Sequence, residues 1–219
     1  MKILKTLIVL FIIVSCSVKK TEYQITEFDK VLGAENSKTL NSLVSDFEKD
    51  ILIKTYPNLN TEKAYKQFLI DVNENKLTFW NKISSENRKK FNDSKLKLEI
   101  YEYPDSVWID GNDIKSRFAF KNDDGTTDYG IGFHSVNLKK NIDSLIEVKY
   151  KTPRMNYVGK YMQAINKIKD ENDFLKAFYD VKETTGFIHP EIMAGIILKS
   201  KPDFSSPITK GLIVMEFGY

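Results

Sequence analysis

Apolar residues along this chain follow two different periods. Over 38–54, Leu40, Leu43, Val44, Phe47, Ile51 and Leu52 recur at spacings of three and four, which places them on one face of a helix. Asn36 or Ser37 can cap its start, and Pro57 forbids its continuation. A second stripe, Ala64, Tyr65, Phe68, Leu69 and Val72, follows Asn60 or Thr61 as cap, and the short Pro-Asn linker predicts an antiparallel helix pair. A third, more polar helix runs from Ser84 or Ser85 through Phe91.

The middle changes period. In 95–103 (KLKLEIYEY) apolar and polar residues alternate, the signature of a strand that Pro104 ends. Ser106-Val107-Trp108-Ile109 then meets an Asp-Gly-Asn-Asp turn at 110–113, and RFAFK (117–121) meets TTDYGIGF (126–133) across Asn122-Asp123-Asp124-Gly125. Short aromatic runs around Asp-Gly predict hairpins, so 95–150 reads as a small antiparallel sheet of two to four strands. The last third returns to helix. Val158, Tyr161, Met162, Ile165 and Ile168 form one stripe, and Phe174, Leu175, Phe178 and Val181 another. Gly186 stands where a C-cap belongs, and His189-Pro190-Glu191 opens a further helix. Segment 208–217 suits a buried helix or a central strand; the Ser-Pro start favours helix. The fold class is mainly α (α+β), a helical domain over 37–219 with a small antiparallel β-hairpin insertion around 95–150 and no internal repeat.

The N-terminus is a separate unit. Lys2 and Lys5 lead into an unbroken apolar run over 7–14, then Ser15 and the chain's single cysteine, Cys16. A membrane helix needs roughly 20 apolar residues, so this run is a secretory signal with small residues at its end. Ile13-Val14-Ser15-Cys16 resembles the lipobox of bacterial lipoproteins. That resemblance implies cleavage before Cys16, acylation of its thiol, and anchoring to a bacterial membrane. Two or three acyl chains hold a protein firmly, at about 0.8 kcal/mol per buried methylene. The expected organisation is a signal peptide over 1–15, a lipidated N-terminus and polar tether over 16–36, and then the domain. The acidic pair that marks surface export in some bacteria is missing after Cys16, so the periplasmic face is favoured over the cell surface.

Composition narrows the partners. The chain holds 33 basic and 30 acidic residues, and losing Lys2 and Lys5 with the signal leaves 31 against 30. A near-neutral surface has no long-range attraction for nucleic acid or anionic lipid. With Cys16 acylated, the domain contains no cysteine and no disulfide. Stability must come from a core supplied by 14 Phe, 11 Tyr and 2 Trp.

Candidate chemistry is sparse. His134 and His189 have no partner at metal spacing, and neither HExxH nor a Cys/His cluster occurs. The serine-hydrolase elbow and both nucleotide-binding glycine motifs are missing from the sequence. The acidic run 123–128 fails as a calcium loop, because glycine at position six would put Phe120 and Ile131 at ligand positions. No cofactor or metal is expected. The chain has thirty lysines but only three arginines, Arg88, Arg117 and Arg154. Arg117 lies among Trp108, Phe118, Phe120 and Tyr129, so Arg117, Trp108 and Tyr129 are the candidate ligand contacts. An ion pair with a nearby carboxylate is the structural reading of Arg117. The functional reading is a non-enzymatic envelope lipoprotein that binds or supports an envelope protein or glycan. The alternative is a hydrolase of envelope polymers using a carboxylate pair, whose separation is a property of the fold.

Overall fold

In the computed structural model, which describes residues 22–76, 83–121, 126–135 and 141–219, side-chain caps set five of the helix starts. Residues 22–32 form α1, and Gly33, at φ 88°, turns the chain into α2, Ala34–Phe47. This helix continues through a π turn at Glu48–Leu52 and ends with Ile53–Thr55. Asn60 accepts a hydrogen bond from the Lys63 amide at 3.0 Å to start α3, Thr61–Asn73. Ser84 and Ser94 act likewise for α4, Ser85–Asn92, and α5, Lys95–Ile100. Strands β1 (Tyr101–Glu102), β2 (Ser106–Asp110), β3 (Asp113–Lys121) and β4 (Thr127–Ser135) follow. Asn141 caps α6, Ile142–Lys151, which leads to β5, Arg154–Met155. Four helices complete the chain: α7 (Lys160–Ile168), α8 (Asp173–Thr185), α9 (Pro190–Lys199) and α10 (Pro207–Gly218). The protein is mainly α, with a three-stranded antiparallel sheet in the order β2-β3-β4 and a two-stranded β1–β5 ladder.

One helix sits inside the others. Along α10, Ile208, Leu212, Ile213, Val214, Met215 and Phe217 are all buried, as a helix that is apolar all round requires. It lies against α2, where a side chain at Gly211 would come within 3.2 Å of Leu40 Cδ2. Edge-on aromatic contacts join three helices: Phe47 meets Phe68 with ring centroids 5.3 Å apart, and Phe68 meets Phe217 at 5.8 Å. Helix α3 lies mainly along α9, α5 along α7, and α8 beside both α7 and α9. A continuous set of buried residues runs from Phe28 to Phe217.

The structure corrects several expectations. Segment 95–103 is a strand only at Tyr101–Glu102; before that it is α5. Leu96 and Ile100 are four apart and both buried, while Leu98 between them is 61% exposed, so the helical period wins over the alternation. The tether expected over 16–36 is helical from residue 22, and α1 carries Phe28 and Leu32 into the core. Two residues four apart are too few to stand out as a period. Helix α2 starts at Ala34 rather than at 38, so Asn36 and Ser37 are interior; Asn36 donates its amide hydrogen to the Leu32 carbonyl at 3.0 Å. A helix, α6, lies within the insertion, and Val158 falls outside its stripe at 43% exposure. The choice of helix for 208–217 stands. Residues 1–21, with the expected signal and Cys16, and the expected turn at 122–125 lie outside the described residues.

Two charges are enclosed by this packing. Lys182 of α8 pairs with Glu216 of α10, with side chains 4% and 8% exposed, and Lys182 Nζ also donates to the Gly186 carbonyl at 3.0 Å. Burial pushes the Glu216 carboxyl up, and the Lys182 ammonium opposes it. Removing one partner strands the other, which costs about 3–5 kcal/mol for a buried pair. Lys182→Met should lower the unfolding free energy in urea by that amount. The double change Lys182→Met with Glu216→Leu should recover most of it, since no charge is then left buried.

Candidate functional site

The three-stranded sheet has one covered face and one open face. Gly111, at φ 60°, closes the tight turn between β2 and β3, and the ladder from it sets Trp108 opposite Lys115 and Ser106 opposite Arg117. Across the next ladder, Lys115 faces Phe133, Arg117 faces Ile131 and Ala119 faces Tyr129. Because side chains alternate, Trp108, Lys115, Arg117, Tyr129, Ile131 and Phe133 share one face. The opposite face carries Ile114, Ser116 and Phe118, all buried. Arg154 stands over it with its guanidinium 3.6 Å from the Phe118 ring centroid and a 2.5 Å hydrogen bond to Glu102.

The first face is open to solvent. Tyr129 is 58% exposed, Ile131 60% and Phe133 74%, three apolar side chains in line along β4; Trp108 is half-buried. Arg117 Nε donates to Asp105 Oδ1 at 2.9 Å, and its guanidinium lies 4.8 Å from the Tyr129 ring centroid. The hydrogen bond from Arg117 holds the Asp105 carboxyl below its ordinary range and raises the guanidinium in turn. Lys115 is paired with Asp110 in the same way. Arg117 and Lys115 are therefore each paired with a carboxylate of the same sheet region. Beside them Tyr129, Ile131 and Phe133 form an aromatic–aliphatic row.

No family model matches the chain, and no curated relative or solved structure does either. Its function has to be read from its own geometry.

The sequence candidates fall on this strip. Arg117 and Tyr129 touch, and Trp108 shares their face two positions along the ladder. Ile131 and Phe133, the most exposed members, become visible only with the register, which shows them alternating with Gly130 and Gly132. His134 is exposed on β4, and His189 stands at the α9 cap with Nδ1 3.2 Å from Glu191 Oε2. No group of three or more His, Cys, Asp or Glu residues able to hold a metal exists among the described residues. Sequence reading also missed the Lys182–Glu216 pair, which lines a small cavity of about 30 Å³ with Tyr101, Tyr161 and Phe187. The available signal was one glutamate inside the apolar run LIVMEF.

An open depression of about 750 Å³ between the start of α8 and the α9–α10 loop contains Asp173 and Asp203 with Lys199 and Lys201. Asp203 Oδ1 accepts from the Ser205 amide at 2.9 Å and the Ser205 hydroxyl at 2.6 Å, which is the work of a loop turn.

Arg117 does find a carboxylate beside the hairpin, but the two side chains are 43% and 36% exposed. Solvent screens such a pair, so it adds little to folding. Arg117→Ala should leave the urea midpoint of the chain at the wild-type value. A clear fall would show the pair to be shielded in solution.

Proposed function

We propose that the mature chain is a lipid-anchored protein of the bacterial cell envelope that binds or supports another envelope protein, with no chemistry of its own. The anchor rests on the Lys2/Lys5, apolar-run and Ile13–Cys16 pattern. The binding role rests on one observation: Tyr129, Ile131 and Phe133 stand exposed in line on the β3–β4 ladder, with Trp108 on the same face. Single exposed apolar residues are ordinary on a protein surface, whereas a contiguous row marks contact with something else. The row's chemistry favours a protein surface over a polyanion or anionic lipid, because Arg117 and Lys115 are already paired. Aromatic side chains also bring large contact area at low conformational cost. The periplasmic side of the membrane is the favoured location. The rival reading, a hydrolase with a carboxylate pair, draws on the depression holding Asp173 and Asp203.

Two experiments test the proposal. Mass spectrometry of the mature N-terminus should find an acylated Cys16, and Cys16→Ala should accumulate as uncleaved precursor. An unmodified cysteine or cleavage at another residue removes the anchor. Benzoylphenylalanine placed at Phe133 should give a discrete photo-adduct with an envelope protein, whereas the same probe at Ile53 or Ile192, exposed on helices away from the sheet, should not. Equal labelling from all three positions would end the binding role for the sheet. Release of sugar from envelope polymers, lost on Asp173→Asn, would favour the hydrolase.

A further inference from the structure

The sheet has two edges, and the molecule treats them differently. Helix α6 runs along β2, where the Tyr150 hydroxyl accepts a hydrogen bond from the Val107 amide at 3.1 Å. Strand β4, the other edge, has no strand beside its outer side among the described residues. It is nine residues long, Thr127–Ser135, and seven of its residues are exposed, Gly130 and Gly132 being the others. Natural proteins blunt such an edge with lysine, proline or a cover, because its free backbone groups pair with any other strand. In a chain with thirty lysines, TDYGIGFHS contains no lysine and no proline.

We infer that β4 pairs edge to edge, antiparallel, with β4 of a second copy of this chain, with Ile131 on the two-fold axis. A two-fold interface requires that if residue i meets j, then j meets i. Any two-fold axis perpendicular to the sheet meets this condition, and with the axis at Ile131 the opposed residues also match in kind. Thr127 pairs with Ser135, Asp128 with His134, Tyr129 with Phe133, Gly130 with Gly132, and Ile131 with itself. Small polar groups meet small polar groups, an acid meets an imidazole, aromatic meets aromatic, and the glycines meet over Phe118, whose ring would lie 3.8 Å from a Cβ on Gly132. Moving the axis by one residue puts a glycine on it and separates Asp128 from His134. The register centred on Ile131 is thus better matched than either neighbouring one. The result is a six-stranded sheet with Tyr129, Ile131 and Phe133 of both copies forming one continuous strip. The pairing uses the backbone edge and does not depend on the binding role proposed for the face, which it leaves open and doubles in width. Copies anchored in one membrane plane would meet at raised effective concentration, so a contact of strand size suffices.

The register can be read by cross-linking in membranes from cells expressing the full chain, with copper-phenanthroline as oxidant. Across the axis, Cα atoms of opposed residues are roughly 4.5–5.5 Å apart, within the about 4.4–6.8 Å that a disulfide spans. Ile131→Cys should therefore give a disulfide dimer at least about tenfold above wild type, in which the only cysteine is Cys16, acylated in the proposed anchor. Thr127→Cys should not, because its two copies lie eight residues apart along the ladder, on the order of 27 Å at about 3.4 Å per residue. Thr127→Cys with Ser135→Cys should restore the dimer, and adding Ile131→Lys should abolish it by setting two ammonium groups on the axis, with the thermal melt unchanged. Equal cross-linking from Cys at 127 and 131, none from either 131 or the 127/135 pair, or persistence with Lys at 131 would each overturn the pairing, while leaving the binding role of the face to its own test.

Discussion

The fold depends on enclosing α10. A helix with no polar face cannot lie at a surface, so the other helices have to surround it. This fixes what lies nearest. Helix α2 comes close because Gly211 leaves room for Leu40, and α3 is joined through the edge-on contacts of Phe68 with Phe47 and Phe217. Enclosure also creates its own electrostatic demand. Glu216 cannot turn to water, so α8 must bring Lys182, and that lysine then also satisfies the Gly186 carbonyl at the helix end. The pair is a condition of packing α10 with an acid on it, and gains little by itself against an apolar pair.

The sheet stands outside this arrangement. Its inner face contributes Ile114 and Phe118 to burial and is held through Arg154, which binds Glu102 and covers the Phe118 ring. Among the described residues, no layer covers its outer face. Domains ordinarily bury both faces of an apolar sheet or make one polar. Here the outer face is apolar along β4 and still exposed, although the chain has enough polar residues elsewhere to have covered it. A solvated Arg117–Asp105 pair and a Lys115–Asp110 pair border the strip without extending it into a charged surface.

How far the sequence could be read depended on how local each signal was. The caps at Asn60 and Ser84, the Ala64–Val72 stripe, the Gly186 stop and the Asp110–Asp113 turn are settled within a few residues, and they were legible. Leu96, Leu98 and Ile100 were not, because three apolar residues at alternate positions also contain one i, i+4 pair, and only packing against α7 decides which pair is buried. Helix α1 escaped for a similar reason: Phe28 and Leu32 reach the core from a segment that is otherwise polar. The Lys182–Glu216 pair joins residues far apart in the chain, and no local pattern encodes it. At the candidate site, Arg117, Trp108 and Tyr129 could be named from composition, but the row through Ile131 and Phe133 required the β3–β4 register.

The contrast between the two sheet edges bears most directly on what the protein does. Tyr150 and α6 show that this chain can close an edge, and it has done so at β2. Leaving β4 open therefore follows from the particular residues there. Alternating glycines keep one side of the strand bare, while the other side holds three apolar residues in line. Gly130 and Gly132 weaken the strand as an isolated element, since glycine loses the most backbone entropy on ordering and packs no side chain. A second strand alongside would offset that cost by satisfying the outer backbone groups and flanking Tyr129 and Phe133 with further rings. The open edge and the open face are thus one feature: an apolar strand that the helical body leaves exposed to solvent.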